Sequence, residues 1–179
     1  MAAVTLHPFH HVAATEVFRG LDPWDEAEAE VALGVALPPE RMAEAWGQLA
    51  DLSFYQAIAA WRGQPFAVFS LSSAGMAGNA SAALMARDHR RFRRPLAELA
   101  LRIRAEMPGF AASLNINRIE ARSWAPHPSA PRILKALGFV PECDVPGLGA
   151  DGLSTFRQWA WLAPHCRPAN AIFTPLKRI

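Results

Sequence analysis

No stretch of this chain leaves less freedom than residues 116–140, INRIEARSWAPHPSAPRILKALGFV. Ile116, Arg118 and Glu120 alternate with Asn117, Ile119 and Ala121, a period of two that predicts a strand. It runs into Pro126-His127-Pro128, which neither a helix nor an inner strand tolerates. A short helix is predicted next. Ser129 stands at a capping position, Pro131 falls in the first turn, Ile133, Leu134 and Leu137 supply an apolar face, and Gly138 supplies a left-handed stop. Phe139 and Val140 then open another strand. Strand, short helix and strand form the closing half of a βαβ unit, and a ligand in such a sheet sits at the strand ends.

The upstream chain builds the rest of that sheet. Val4 to Leu6 reads as a first strand, followed by helices at His10 to Phe18, Asp25 to Leu33 and Pro39 to about Leu52. The third carries Met42, Ala45, Trp46 and Leu49 on one face. Phe54 to Trp61 and Pro65 to Leu71 are apolar runs joined by Arg62-Gly63-Gln64, a hairpin connection. A Gly/Ser/Ala-rich loop over 72–80 leads to a central strand at Ser81 to Met85. The fold class is therefore α/β, of the α+β mixed-sheet kind: one domain over residues 1–163, with a twisted mixed sheet of six to seven strands flanked by helices. Ser81–Met85 and Ile116–Ala121 are expected to be parallel neighbours joined by a crossover helix over Pro95–Met107, because a parallel connection needs a dozen or more residues. Ser154 to Leu162 reads as the last strand, with Trp159 and Trp161 on its core face. Pro164 to Ile179 reads as an extended tail.

With 51% hydrophobic and 19% charged residues in 179, the chain suits a single core that buries about 70% of its unfolded surface. A formal net charge of +2 names no polyanionic partner. Cys143 and Cys166 are too few for a disulfide framework or a zinc site, and read as buried or inert thiols in a reducing compartment. No apolar run is long enough to span a membrane and no signal sequence is evident, so no membrane partner and a cytoplasmic setting are expected. His7, His10 and His11 lack carboxylates at ligand spacing, so no metal is expected.

Charge concentrates in RDHRRFRR, residues 87–94, with five arginines in eight positions ahead of Pro95. Arg87, Arg90, Arg91, Arg93 and Arg94 thus stand where a strand meets a helix N-terminus, a place that favours anions. A solvated basic face is the competing account. Single-stranded nucleic acid is not the expected ligand, because only Phe92 interleaves with the charges. For acid–base chemistry the candidates are Glu120, His127 and Glu142, with Cys143 behind them. Pairing of Glu120 with Arg118 or Arg122 is the plainer reading of that carboxylate.

This order of elements resembles the GCN5-related N-acetyltransferase (GNAT) fold. The family's loop Q/R-x-x-G-x-G/A, which cradles the acetyl-CoA pyrophosphate, is matched by Arg90 alone, with Arg93 and Pro95 in place of the glycines. Against its N-x-x-A-x-x-x-Y-x-x-x-G-F pattern, Ala130, Gly138 and Phe139 match, His127 takes the Asn position and Leu134 the Tyr position. The pattern looks closer to the GNAT-like proteins encoded by bacteriophages, some carried in virions. The resemblance implies an N-acyltransferase taking acyl-CoA and an amine, with the five arginines on the CoA phosphates. The changed loop implies weak or absent acetyl-CoA binding. The alternative is a catalytically inactive GNAT-shaped protein that meets a protein partner or virion components.

Overall fold

The computed structural model describes residues 3–166. The strands are β1 (Val4–Pro8), β2 (Ser53–Trp61), β3 (Gln64–Ser73), β4 (Asn79–Ala86), β5 (Arg118–Trp124), β6 (Val140–Val145) and β7 (Phe156–Leu162). They form one mixed sheet in the order β1-β2-β3-β4-β5-β7-β6. The helices are α1 (His11–Arg19), α2 (Pro23–Leu33), α3 (Pro39–Gln48), α4 (Arg93–Ser113) and α5 (Ala130–Leu137). A mixed sheet of seven strands with helices on both faces is the architecture expected from the sequence.

Local chemistry explains most boundaries. Arg62 and Gly63 both adopt positive φ (53° and 75°) in the two-residue turn between β2 and β3, which matches the right-handed twist of a hairpin. Asp22 caps α2 by accepting the Trp24 N–H at 3.1 Å. Gly138 ends α5 at φ 94°, a conformation a Cβ would strain, and Phe139 beyond it is buried. Both features were expected.

Several boundaries differ from expectation. The crossover helix runs on to Ser113 through Pro108, because buried Met107 and Ala111 hold that face against the sheet despite the missing donor. The strand expected from Ile116 starts at Arg118, since the Ile116 N–H returns to the Ala111 carbonyl at 2.8 Å and closes the helix end first. The third helix stops at Gln48 and a 3₁₀ turn spans Ala50–Leu52, which leaves Leu49 exposed. The tail expected from Pro164 begins with a 3₁₀ turn at Pro164–Cys166, and the remainder lies outside the described residues.

Two apolar layers sandwich the sheet. On one face α1 and α3 pack Val17, Phe18, Met42 and Trp46 against Ile58 and Val68. On the other, α4 and α5 cover β1 to β5 and β7, with Phe66, Leu99, Ile119, Trp159 and Trp161 at the centre. Trp159 and Trp161 are core residues as expected, and the Trp159 indole donates to Ser123 Oγ at 2.9 Å. Cys143 and Cys166 are exposed free thiols, contrary to the buried reading. No helix among the described residues is long and apolar enough to cross a membrane.

Candidate functional site

Strands β4 and β5 are parallel neighbours, as expected, but only from Asn79–Ser81 against Arg118–Glu120. Beyond Ser81 they diverge, because β4 stays in register with β3 as far as Ala86 while β5 follows β7 as far as Trp124. The divergence opens a cleft of about 920 Å³ that passes through the sheet, lined by α2 and α3 on one side and by α4 and α5 on the other. Its two walls differ. On the α2–α3 side the polar groups Glu28, Ser70, Ser81 and Arg122 stand among Leu33, Met42, Trp46 and Leu49, whereas Phe69, Ile103, Met107, Phe110, Ile133 and Leu134 line the α4–α5 side.

Backbone donors face this opening. The Ala86 N–H and C=O point away from β3, to Asp25 Oδ2 (2.7 Å) and the Asp22 N–H (2.9 Å). By strand alternation Leu84 turns its N–H the same way, past the last residue paired with β5. On the opposite strand the Ala125 N–H bonds the Thr155 carbonyl beside β7, so Arg122 and Trp124 direct theirs into the cleft.

Helix α2 bridges the divergent ends. Asp25 and Glu28, one turn apart, share a face: Asp25 holds the Ala86 N–H of β4, and Glu28 meets the Trp124 N–H of β5. Burial pushes the Glu28 carboxyl up to about 7, against the smaller opposing effects of His127 and the Trp124 N–H. That is the pKa of a general base near neutrality. Sequence reasoning missed Glu28, which alternates with Glu26 and Glu30 as though on a solvated helix. The signal was the spacing Asp25-x-x-Glu28.

A buried cluster seals the strand ends. His127, 3% exposed, accepts the Ala130 N–H at 3.0 Å through Nδ1, so its Nε2 carries the proton donated to Asp25 Oδ1 at 2.9 Å. His89 Nε2 lies 3.2 Å from the same oxygen, off the line of a good hydrogen bond, and His89 Nδ1 meets Ser129 Oγ at 2.7 Å. Burial raises the Asp25 pKa, but the bond from His127 and the closeness of the His89 ring outweigh it and hold the carboxyl below its ordinary value. Burial likewise lowers His89, and Asp25 more than reverses it, so His89 is raised. The donor atoms of Asp25, His89 and His127 lie within 4.8 Å of one another. Yet the His127 lone pair is already spent on the α5 backbone, and the ring offers a metal a proton instead. This ring also caps α5 in place of Ser129, which has helical dihedrals (φ −104°, ψ −27°) and turns its hydroxyl to His89.

The other residues singled out in the sequence are dispersed. Glu120 accepts from Arg118 Nε at 2.7 Å, and Arg118 also forks onto both carboxylate oxygens of Glu142. That pairing holds Glu142 below its ordinary pKa. Cys143 follows on β6. Arg87 turns inward to Glu16 (2.9 Å) and the Pro65 carbonyl (3.1 Å). Arg91 bonds Gln64 at 3.0 Å and lies over the Phe92 ring. Arg90, Arg93 and Arg94 are exposed, with no side-chain partner among the described residues. The backbone donors of residues 89–92 are engaged. Asp88 Oδ1 takes the N–H of Arg90 (3.1 Å) and Arg91 (2.9 Å), the Asp88 carbonyl takes that of Phe92 (3.0 Å), and Asp22 takes that of His89 (2.8 Å).

No protein-family model and no curated protein matches the chain. Solved structures do. RimL, a ribosomal L7/L12 alpha-N-protein acetyltransferase in complex with coenzyme A, is 9% identical with a TM-score of 0.69, over 91% of this chain and 96% of that one. Ard1 from Thermoplasma volcanium is 18% identical with a TM-score of 0.63, over 90% and 98%. YncA, a putative acetyltransferase from Salmonella typhimurium with its cofactor acetyl-CoA, is 11% identical with a TM-score of 0.63, over 94% and 99%. The chain has the mixed-sheet fold of the GCN5-related N-acetyltransferases.

Proposed function

We propose that this protein is an acyl-CoA-dependent N-acyltransferase whose general base is Glu28. The observation that carries the reading is a carboxyl with a pKa near neutrality in a cleft between two diverging strands whose free N–H groups face inward. When bound, coenzyme A would supply the acyl group as a thioester open to attack by an amine. The cleft suits its arm, since Leu84 and Arg122 present N–H groups from opposite strands to the amides or the acyl carbonyl. Its phosphates would meet the side chains of Arg90, Arg93 and Arg94, because the backbone donors of residues 89–92 are engaged.

The amine enters from the α2–α3 side, where Glu28 stands. Its nitrogen bonds to the acyl carbon as the carbon–sulfur bond breaks, its proton passes to Glu28 directly or through one water, and the departing sulfur takes a proton from solvent. Donors fixed on two strands stabilise the charge that develops on the carbonyl oxygen without reorganising. Glu120 and Glu142 are engaged by Arg118, and His127 by α5 and Asp25, so Glu28 is the carboxyl best placed to gain and lose a proton.

A second reading is favoured by the self-capped turn: a protein of this fold without catalysis, acting as an interaction or virion component through its exposed arginines. Calorimetry with CoA and acetyl-CoA, followed by thiol release with a panel of amines, separates the two. Weak, salt-sensitive binding, with a rate that rises through pH ~7 and falls roughly 10² to 10³-fold in Glu28→Gln at unchanged CoA affinity, is expected. Absence of CoA binding would leave the second reading.

A further inference from the structure

The wall between α4 and α5 is lined by apolar side chains that offer no hydrogen bond. Ile103, Phe110, Ile133 and Leu134 are only partly buried, yet they turn toward the cleft beside Phe69 and Met107. At about 920 Å³ the cleft is at the upper end of small-molecule sites, which run roughly 300–1,000 Å³. The arm of coenzyme A carries two amides that need hydrogen-bonding partners, and the strand edges at Leu84 and Arg122 offer them. Those six side chains offer none. A methylene chain asks for no partner and gains from leaving water, so it is the occupant whose chemistry matches this wall.

We infer that the donor carries a medium-length aliphatic acyl chain, lodged between α4 and α5, rather than acetyl alone. This rests on the acyltransferase reading for the thioester but on the groove for the chain. Each methylene buried contributes about 0.8 kcal/mol, so affinity for acyl-CoA esters rises about fourfold per methylene until the groove is full.

The test is calorimetric titration of the full chain with acetyl-, butyryl-, hexanoyl- and octanoyl-CoA, and separately with octanoate. The expected result is a gain of at least about a hundredfold from acetyl to octanoyl. Leu134→Trp, which narrows the groove from α5, and Ile103→Trp, which narrows it from α4, should each weaken octanoyl-CoA at least about tenfold more than acetyl-CoA. Esters that bind with no dependence on chain length, or less tightly as it grows, overturn the inference and leave the acyltransferase reading standing. Octanoate bound without any CoA ester would overturn the CoA reading and keep the groove as a chain site. Binding of neither overturns both.

Discussion

The turn from β4 into α4 and the turn from β5 into α5 leave neighbouring strand ends, and each must satisfy the N–H groups that begin a helix. At residues 87–92 the acceptors are carboxylates: Asp88, exposed, takes two N–H groups and Asp22 takes a third. At residues 125–129 the acceptor is the Nδ1 of a buried imidazole, His127, whose other nitrogen is tied to Asp25. The part of the arginine-dense turn that precedes α4 is therefore closed to anions, because residues 89–91 already give their N–H groups to internal carboxylates. The turn without charge is the one joined to the core. Density of positive charge and availability of backbone donors are separate properties here, and only the first shows in composition.

The largest effect should come from His127→Ala. It removes the α5 cap and leaves the buried Asp25 carboxylate short of a partner, an expected loss of about 3 to 5 kcal/mol in urea unfolding. A loss under about 1 kcal/mol would erase the contrast between the two turns.

Glu28 tests the helix that spans them. Its folded pKa of about 7 lies above the ordinary 4.5, so the folded state binds the proton more tightly and stability falls as pH rises from about 4.5 to about 7. At about 1.4 kcal/mol per unit the cost reaches at most roughly 3 kcal/mol at pH 8. Glu28→Gln should lift that cost, so unfolding midpoints of mutant and wild type should converge near pH 4 and separate toward pH 8. Parallel profiles would show that this carboxyl is solvated.

Asp88→Ala is the smaller, exposed counterpart of the histidine change. It should cost about 1 kcal/mol in thermal unfolding, since it removes one surface cap. It also frees the N–H groups of Arg90 and Arg91, so inorganic diphosphate should stabilise the mutant more than the wild type. Equal stabilisation would mean that Asp88 does not compete with anions.

Gly138→Ala examines the far end of α5, where φ is 94° and a new Cβ would come no nearer than 3.7 Å to Trp161. Strain alone should cost about 1 kcal/mol, slightly lowering the unfolding midpoint.

What the sequence determined by itself is whatever depends on neighbours along the chain. The glycine stop before Phe139, the Arg62-Gly63 turn and the crossover from β4 to β5 follow from backbone sterics and connection length, and those constraints are local. The alternation of Trp159 and Trp161 fixed their common face. Tertiary structure alone decided which polar groups meet. His89 and His127 lie 38 positions apart and come together because two parallel strands end at the same level, and Asp25 reaches them from a helix that crosses those ends. RDHRRFRR drew attention to its arginines, yet the Asp88 carboxylate within the same run claims the N–H groups of Arg90 and Arg91. The run of Glu26, Glu28 and Glu30 reads as uniformly solvated, and only the path of α2 over the cleft desolvates one of the three. A carboxyl's pKa is set by what excludes water from it, and for Glu28 that is burial in the cleft, partly offset by the Trp124 N–H of β5, 96 residues downstream.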